Sequence, residues 1–446
     1  MNDELLAIAE KVIGWANDGE QVEAYVSRGN STTVRVYNAE IESFSSAQEE
    51  GVGIRVIVDG RLGFAYAGSL DLEVLQETLR EARDNSGFAE PDEFVALVEP
   101  DGVAFADIDL FDPSLLEVAT EAKIDLAFAL EKKLLGADPR IKTVPMAIYG
   151  DDWGEVAIAS TTGIRAWQQG NDAALSTYCL AVDNGDTQTG FGVSVARRFD
   201  ELDLDKAVAD AARRATQLLG ATKPKSRRLP VILDPTVTAQ FLGVIGAPLS
   251  GDMVIKGRSV FADRVGDAVG SPAVTLVSDP TNKDSLAANK MDAEGLASRR
   301  LPLIDKGTLT GFAHNSYTAR RYGTQSTASA VRSLKTTPTA SCRALSLEPG
   351  TQDQAELMAA LGEGVIVRTV SGLHSGVNPI SGDFSTGAEG QMFRDGQIAE
   401  PVREFTIAST LQRMLSDVVA VGNDIEQLPS GLSMSVAISD VSVSGS

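Results

Sequence analysis

The chain has 446 residues, 43% of them hydrophobic, enough apolar material to bury large cores and to build two or three domains. Its formal net charge is -23, so its surface repels nucleic-acid phosphates and anionic membranes; direct nucleic-acid or membrane binding is disfavoured, and cationic or neutral partners are favoured. Two cysteines, Cys179 and Cys342, exclude a disulfide framework, and the acidic start MNDELLAIAEK lacks the basic flank and short apolar run of an export signal, so a soluble cytoplasmic protein is expected.

In chain order, residues 3–17 read as an amphipathic helix with Leu5, Ala9, Val12, Ile13 and Ala16 on one face. The period then changes to two: Val22, Ala24 and Val26, then Val34 and Val36, then Val52, Ile54, Val56 and Val58 alternate with other residues as strands do. Asp59-Gly60 marks a hairpin turn, and Asp71 opens a second helix that buries Leu72, Leu75 and Leu79. Together these make an α+β module over residues 1–88. Residues 89–111 are acidic and Pro-containing and read as a linker. Asp112-Pro113 predicts the start of a long helix through Leu135, followed by strands at 141–149, 155–160, 163–168, 173–182 and 188–196 and a helix at 203–219, a second module over 112–222. After the polar joint KPKSRR (223–228), residues 229–446 are rich in glycine and strand signals, with helical breaks near 236–247, 351–361 and 407–416. Strands and helices do not alternate regularly. The expected fold class is therefore α+β: N-terminal α/β modules, then a C-terminal domain dominated by antiparallel β-sheet.

The side chains offer no self-sufficient active site. Zinc needs three or four His, Cys or carboxylate ligands, usually two of them close together on one element. The chain has two histidines, His314 and His374, sixty positions apart, and neither cysteine lies near another ligand at useful spacing. The stretch GLHSGVNPISGDFSTGAEG (372–390) contains glycines, Ser375, Ser381 and Asp383 around His374, but it lacks the dinucleotide-binding and P-loop spacings. Sequence neighbours rarely meet in a catalytic triad, so the stretch reads as turns set by Gly and Asn-Pro.

Three longer stretches do carry an identity. GVNPISGDFSTGAEGQMFRDGQIAEPVREFTIASTL (376–411) resembles the C-terminal signature of the TldD/PmbA family, above all its TldE branch. LPVILDPTVTAQFLGVIGAPLSGDMVIKGRSVF (229–261) resembles the family's central segment, and EAYVSRGNSTTVRVYNAEIESFSSAQEEGVGIRVIVDGRLGFAYAG (23–68) its N-terminal module. The resemblance implies a pair of homologous subunits. The TldD branch holds zinc through an HExxxH helix and a cysteine near the C-terminus. Registering on Gly251-Asp252 and Lys256-Gly257 places the first His position at Leu242, the Glu position at Gly243 and the second His position at Ala247. Residues 424–446 contain no cysteine, and Cys342 lies elsewhere in the sequence.

The resemblance thus implies a chain without a cofactor or catalytic residues of its own, inactive alone. It would complete a zinc-dependent peptidase with a TldD-like partner that carries the metal, and would help enclose a channel for unfolded peptides. In that setting His374, Asn378 and Asp383 are expected at the channel wall or partner interface, unless they only bond the local turn. Two other readings stay open: a regulator acting by protein contact, as the family's link to DNA gyrase suggests, and a self-sufficient Ser or Asp hydrolase.

Overall fold

The computed structural model describes residues 2–446. Helix α1 (Asn2–Ile13) buries Leu5, Ala9, Val12 and Ile13, the stripe its 3.6-residue period predicts. Strands β1 (Gln21–Tyr37), β2 (Glu40–Val58) and β3 (Arg61–Ala67) follow, then α2 (Leu72–Phe88). Asp59 and Gly60 join β2 to β3 with φ of 48° and 72°, the left-handed pair that matches the twist of a tight hairpin. Residues 89–111 form neither helix nor strand.

The single helix expected from Asp112 to Leu135 is two pieces. Asp112 caps a short 3₁₀ turn, Pro113–Glu117, by accepting a hydrogen bond from Ser114 N (2.9 Å). The extended residues Val118 and Ala119 break the chain, and α3 (Thr120–Leu135) begins afresh. The break lets Leu115 and the α3 residues Ala127, Leu130 and Leu134 enter one core. Strands β4 (Ile141–Ser160), β5 (Arg165–Asp183) and β6 (Asp186–Ala196) lead to α4 (Leu204–Thr216), capped by Asp203. β4 and β5 each run through what alternation divides into two strands, because Gly150 to Gly154 stays paired on both sides, to Thr33 to Gly29 of β1 and to Ala174 to Gly170 of β5.

Six strands form one antiparallel sheet in the order β3-β2-β1-β4-β5-β6. Each N-terminal module contributes three of them, with α1 and α2 packed on one end and α3 and α4 on the other.

The C-terminal half opens with β7 (Arg227–Leu233), α5 (Pro235–Gly246) and α6 (Gly251–Ile255). Short elements follow: β8 (Leu276–Ser278), β9 (Leu301–Asp305), β10 (Thr308–Leu309), α7 (Ser316–Tyr322), β11 (Ala330–Val331), β12 (Thr339–Ala340) and β13 (Leu345–Leu347). The rest comprises α8 (Gln354–Leu361), β14 (Glu363–Ser371), α9 (Leu373–Gly376), β15 (Asp383–Arg394), β16 (Gln397–Thr410) and α10 (Leu411–Ser416). It ends with β17 (Val418–Val421), β18 (Glu426–Leu428), β19 (Gly431–Ser433) and β20 (Val436–Ser444).

Its main sheet runs β16-β15-β14-β7-β20-β17, and β16 also pairs with β20, which closes five strands into a ring. Only β14–β7 is parallel in this sheet, so the domain is dominated by antiparallel pairing. The basic joint is neutralised where it enters β7: Arg227 pairs with Glu363 (2.5 Å) and Arg228 with Asp440 (2.7 Å). Among the described residues, no helix is long and apolar enough to cross a membrane.

Candidate functional site

Helix α5 carries the positions of interest. Asp234 caps it, accepting from Thr236 N (3.3 Å) and Thr236 Oγ1 (3.1 Å), and Pro235 occupies the first helical position, where its missing N–H costs nothing. Val237, Phe241, Leu242 and Ile245 turn into the main C-terminal core. Phe241 meets Phe384 edge-on, with ring centroids 5.9 Å apart.

Leu242 is part of that core, whereas Gly243 and Ala247 lie on the exposed side of the helix end. A leucine, a bare Cα and a methyl group offer no lone pair, so these three positions do not fit a zinc ion. Among the described residues, no group of three or more His, Cys, Asp or Glu side chains could hold a metal. What lies over them is a cavity of about 320 Å³ lined by Leu242, Gly243, Ala247, Cys342, Leu345 and Leu432, among others.

Cys342, distant in sequence, packs against this helix, its Sγ donating to Gly246 O at 3.4 Å. Burial pushes its thiol up to about 12, so it stays protonated and unreactive. A Cβ on Gly246 would lie 3.0 Å from Leu345 Cδ2, so the glycine leaves room for Leu345 beside Cys342. Sequence spacing held no signal for this neighbour, because the segment between β12 and β13 meets α5 only through the tertiary fold.

His314 does not reach the cavity. It is buried, stacked on Tyr322 (5.1 Å) and edge-on to Phe312 (6.3 Å), with Nδ1 3.1 Å from Thr318 Oγ1. Burial pulls its pKa down to about 4, so it is neutral at pH 7. A side chain on Gly251 would collide with its ring, which accounts for glycine in the shared Gly251-Asp252 pair.

The turn that leads into β15 holds Asn378 and ends at Asp383, the first residue of that strand. Asn378 Oδ1 accepts from Ile380 N (2.9 Å) and Ser381 N (3.3 Å), and its own N–H donates to Asp383 O (2.9 Å). The Ser381 hydroxyl donates to Asp383 Oδ2 at 2.7 Å. These are the bonds of a turn built from Asn, Ser and Asp. The side chain of His374, the third residue expected here, lies outside what is described. Next to the loop, Phe384 touches α5 through Phe241, so the turn and the helix share a wall.

A second cavity, about 430 Å³, adjoins the first: Ala239 and Ser430 line both. It lies where the β6 edge of the N-terminal sheet and α4 meet α5 and β14, and its polar walls include Arg214, Gln217 and Arg368.

Family models for the PmbA/TldA metallopeptidase match its domain 1 at residues 22–86, its central domain at 113–219 and its C-terminal domain at 226–445. The chain belongs to the TldD/PmbA family. It is similar to the metalloprotease PmbA of Escherichia coli O157:H7, with 28% identity over 99% of this chain and 96% of that protein. A Thermotoga maritima protein whose name links it to modulation of DNA gyrase has the same fold, with a TM-score of 0.88, 25% identity and 99% coverage of both chains. TldE of Thermococcus kodakarensis also shares the fold, with a TM-score of 0.89, 23% identity and 99% coverage of both chains.

Proposed function

We propose that this chain is the metal-free, TldE-like subunit of a heteromeric zinc peptidase that cleaves unfolded peptides. The observation that carries this reading is the end of α5, where Leu242, Gly243 and Ala247 leave an apolar cavity at the positions the family resemblance assigns to HExxxH. A zinc ion in a TldD-like partner would polarise the scissile carbonyl and its bound water. This chain contributes walls for the substrate and no proton transfer at the metal, because neither Gly243 nor the buried Cys342 thiol can act as a base. The name of the PmbA relative supports a hydrolase family, and the TldE neighbour supports the fold of the subunit type.

The test is reconstitution. The chain alone should bind no stoichiometric zinc and cleave no peptide, and mixing with a TldD-like partner should give a complex that contains zinc and hydrolyses unfolded peptides. A mixture that forms neither complex nor product overturns the reading. The Thermotoga relative's name favours a second reading, a regulator acting by protein contact. That reading predicts complex formation with a target and no cleavage under any pairing.

A further inference from the structure

The chain has 62 acidic and 39 basic residues, yet none of the residues lining the 430 Å³ cavity is a carboxylate. Two lining residues are arginines. Arg368 is nine-tenths buried, with 9% of its side chain exposed, and Arg214 is nearly as buried at 13%. Their counter-charges sit outside the lining: Asp234 takes Arg368 Nη1 at 2.7 Å, and Glu426 accepts from Arg214 Nη2 at 3.4 Å while also accepting from Lys206 at 3.4 Å. Arg368 Nε donates to Gln391 Oε1 at 3.3 Å, which leaves Nη2 without a partner among the described residues. Gln217, also on the wall, buries an Nε2 that has no partner either.

Both unclaimed groups are donors. Of the two, Gln217 Nε2 is the buried one, and a buried donor left unmade is costly; the group that suits it together with the Arg368 guanidinium is a carboxylate. The remaining walls, including Val193, Leu218 and Leu428, are apolar.

We propose that this cavity is a carboxylate subsite that holds the free C-terminus of a peptide ending in an apolar residue. Arg368 and Gln217 donate to the carboxylate oxygens, and Val193, Leu218 and Leu428 receive the side chain. An Asp or Glu side chain fits less well, because it would bring unpaired peptide groups into the apolar part of the crevice. A C-terminal Leu or Phe carries carboxylate and hydrocarbon on one residue. The preceding residues would point towards the neighbouring cavity over Gly243, with which this one shares the wall residues Ala239 and Ser430. The inference rests on the reading of this chain as a peptide-handling subunit and adds to it a substrate feature: a nearby free chain end.

Titration calorimetry on the full chain, without any partner, tests it. The probes are acetyl-Ala-Ala-Leu as the free acid, the same peptide as the amide, and hexanoate, which supplies carboxylate and hydrocarbon without peptide. The acid binds, the amide binds at least about tenfold more weakly, and hexanoate binds more weakly than the acid. Arg368→Gln brings the acid down to the affinity of the amide. Because Arg368 also holds Asp234 at the cap of α5, Gln217→Met is the second variant; it keeps the size, removes the unclaimed amide, and lowers acid affinity severalfold with the amide unchanged. Equal binding of acid and amide, no binding of the acid, or hexanoate binding as tightly as the peptide overturns the proposal. Failure here leaves the reconstituted cleavage assay untouched, and failure of that assay leaves this result untouched, so the two readings fall separately.

Discussion

Gly243 sits inside α5 with nothing within 4 Å of the place where a Cβ would be. A helix-interior glycine is costly, and here no close packing demands it, in contrast to Gly246 three residues on. Gly243→Ala is therefore expected to raise stability by about 1 kcal/mol, read as a higher urea midpoint at unchanged slope. A lower midpoint would mean that the space over Gly243 is not free. The sequence resemblance picked out Leu242, Gly243 and Ala247, but only the folded chain shows that two of them face open space and the third is core. The same limit applies to His314: its number says nothing of its burial. Its folded pKa of about 4 lies below the ordinary 6.5, so between those values the unfolded chain binds a proton that the folded chain does not. This contribution leaves stability unaffected above pH 6.5 and lowers it as pH falls towards 4, by about 1.4 kcal/mol per unit at most. His314→Gln should flatten that slope, and an imidazole titration should show the ring neutral to near pH 4.

At the scale of elements, the signals that succeeded were periodic and the ones that failed were local. Alternation found β1 and β6, but of β2 only Val52 to Val58, because Glu40 to Glu49 is exposed on both faces and Gly51 to Ile57 buried on both. It split β4 because Gly150 to Gly154 pairs with β1 by backbone bonds without regular apolar alternation. The Asp112-Pro113 start was legible and correctly placed a cap, but nothing in SLLEVA announces the break at Val118 and Ala119. Glycines within strands mark a third kind of fact. Any Cβ on Gly192 of β6 would collide with the Ala207 carbonyl of α4, and one on Gly190 with Ala211, so α4 lies directly on the backbone of this edge strand. Gly192→Ala should cost about 1–3 kcal/mol and lower the thermal midpoint. Gly154→Ala in β4 is the control. Its Cβ would lie 3.8 Å from Arg28 O, an ordinary contact, and its midpoint should not fall.

At the scale of the whole molecule, composition suggested modules separated by a linker, and that picture omits what joins them. The N-terminal sheet meets the C-terminal half through buried ions. Glu23 of β1 accepts from Arg55 Nε (2.8 Å) and Nη2 (2.5 Å) on β2, and from Arg332 Nη1 (2.6 Å), which arrives from a distant part of the sequence. Arg332 also stacks on Tyr25 at 4.5 Å, and Arg55 lies 3.7 Å from Glu294, which in turn accepts from Ser316 Oγ at 2.6 Å. No spacing rule links Glu23 to Arg332, since such pairs depend on the finished fold.

Burial alone would raise the Glu23 carboxyl, but Arg55 and Arg332 hold it below its ordinary 4.5. Its ionised form therefore contributes stability that is fully present above pH 4.5 and is lost as pH falls through the lowered folded value. Glu23→Gln keeps the shape while leaving two buried guanidiniums without their shared anion, and is expected to cost about 3–5 kcal/mol at pH 7. Adding Arg332→Met removes one of the stranded charges, so the double variant should be less destabilised than the sum of the two single ones, and the non-additive part measures the seam directly. Urea unfolding at pH 7 of the four proteins gives that cycle. Full additivity would mean that Glu23 and Arg332 do not stabilise one another.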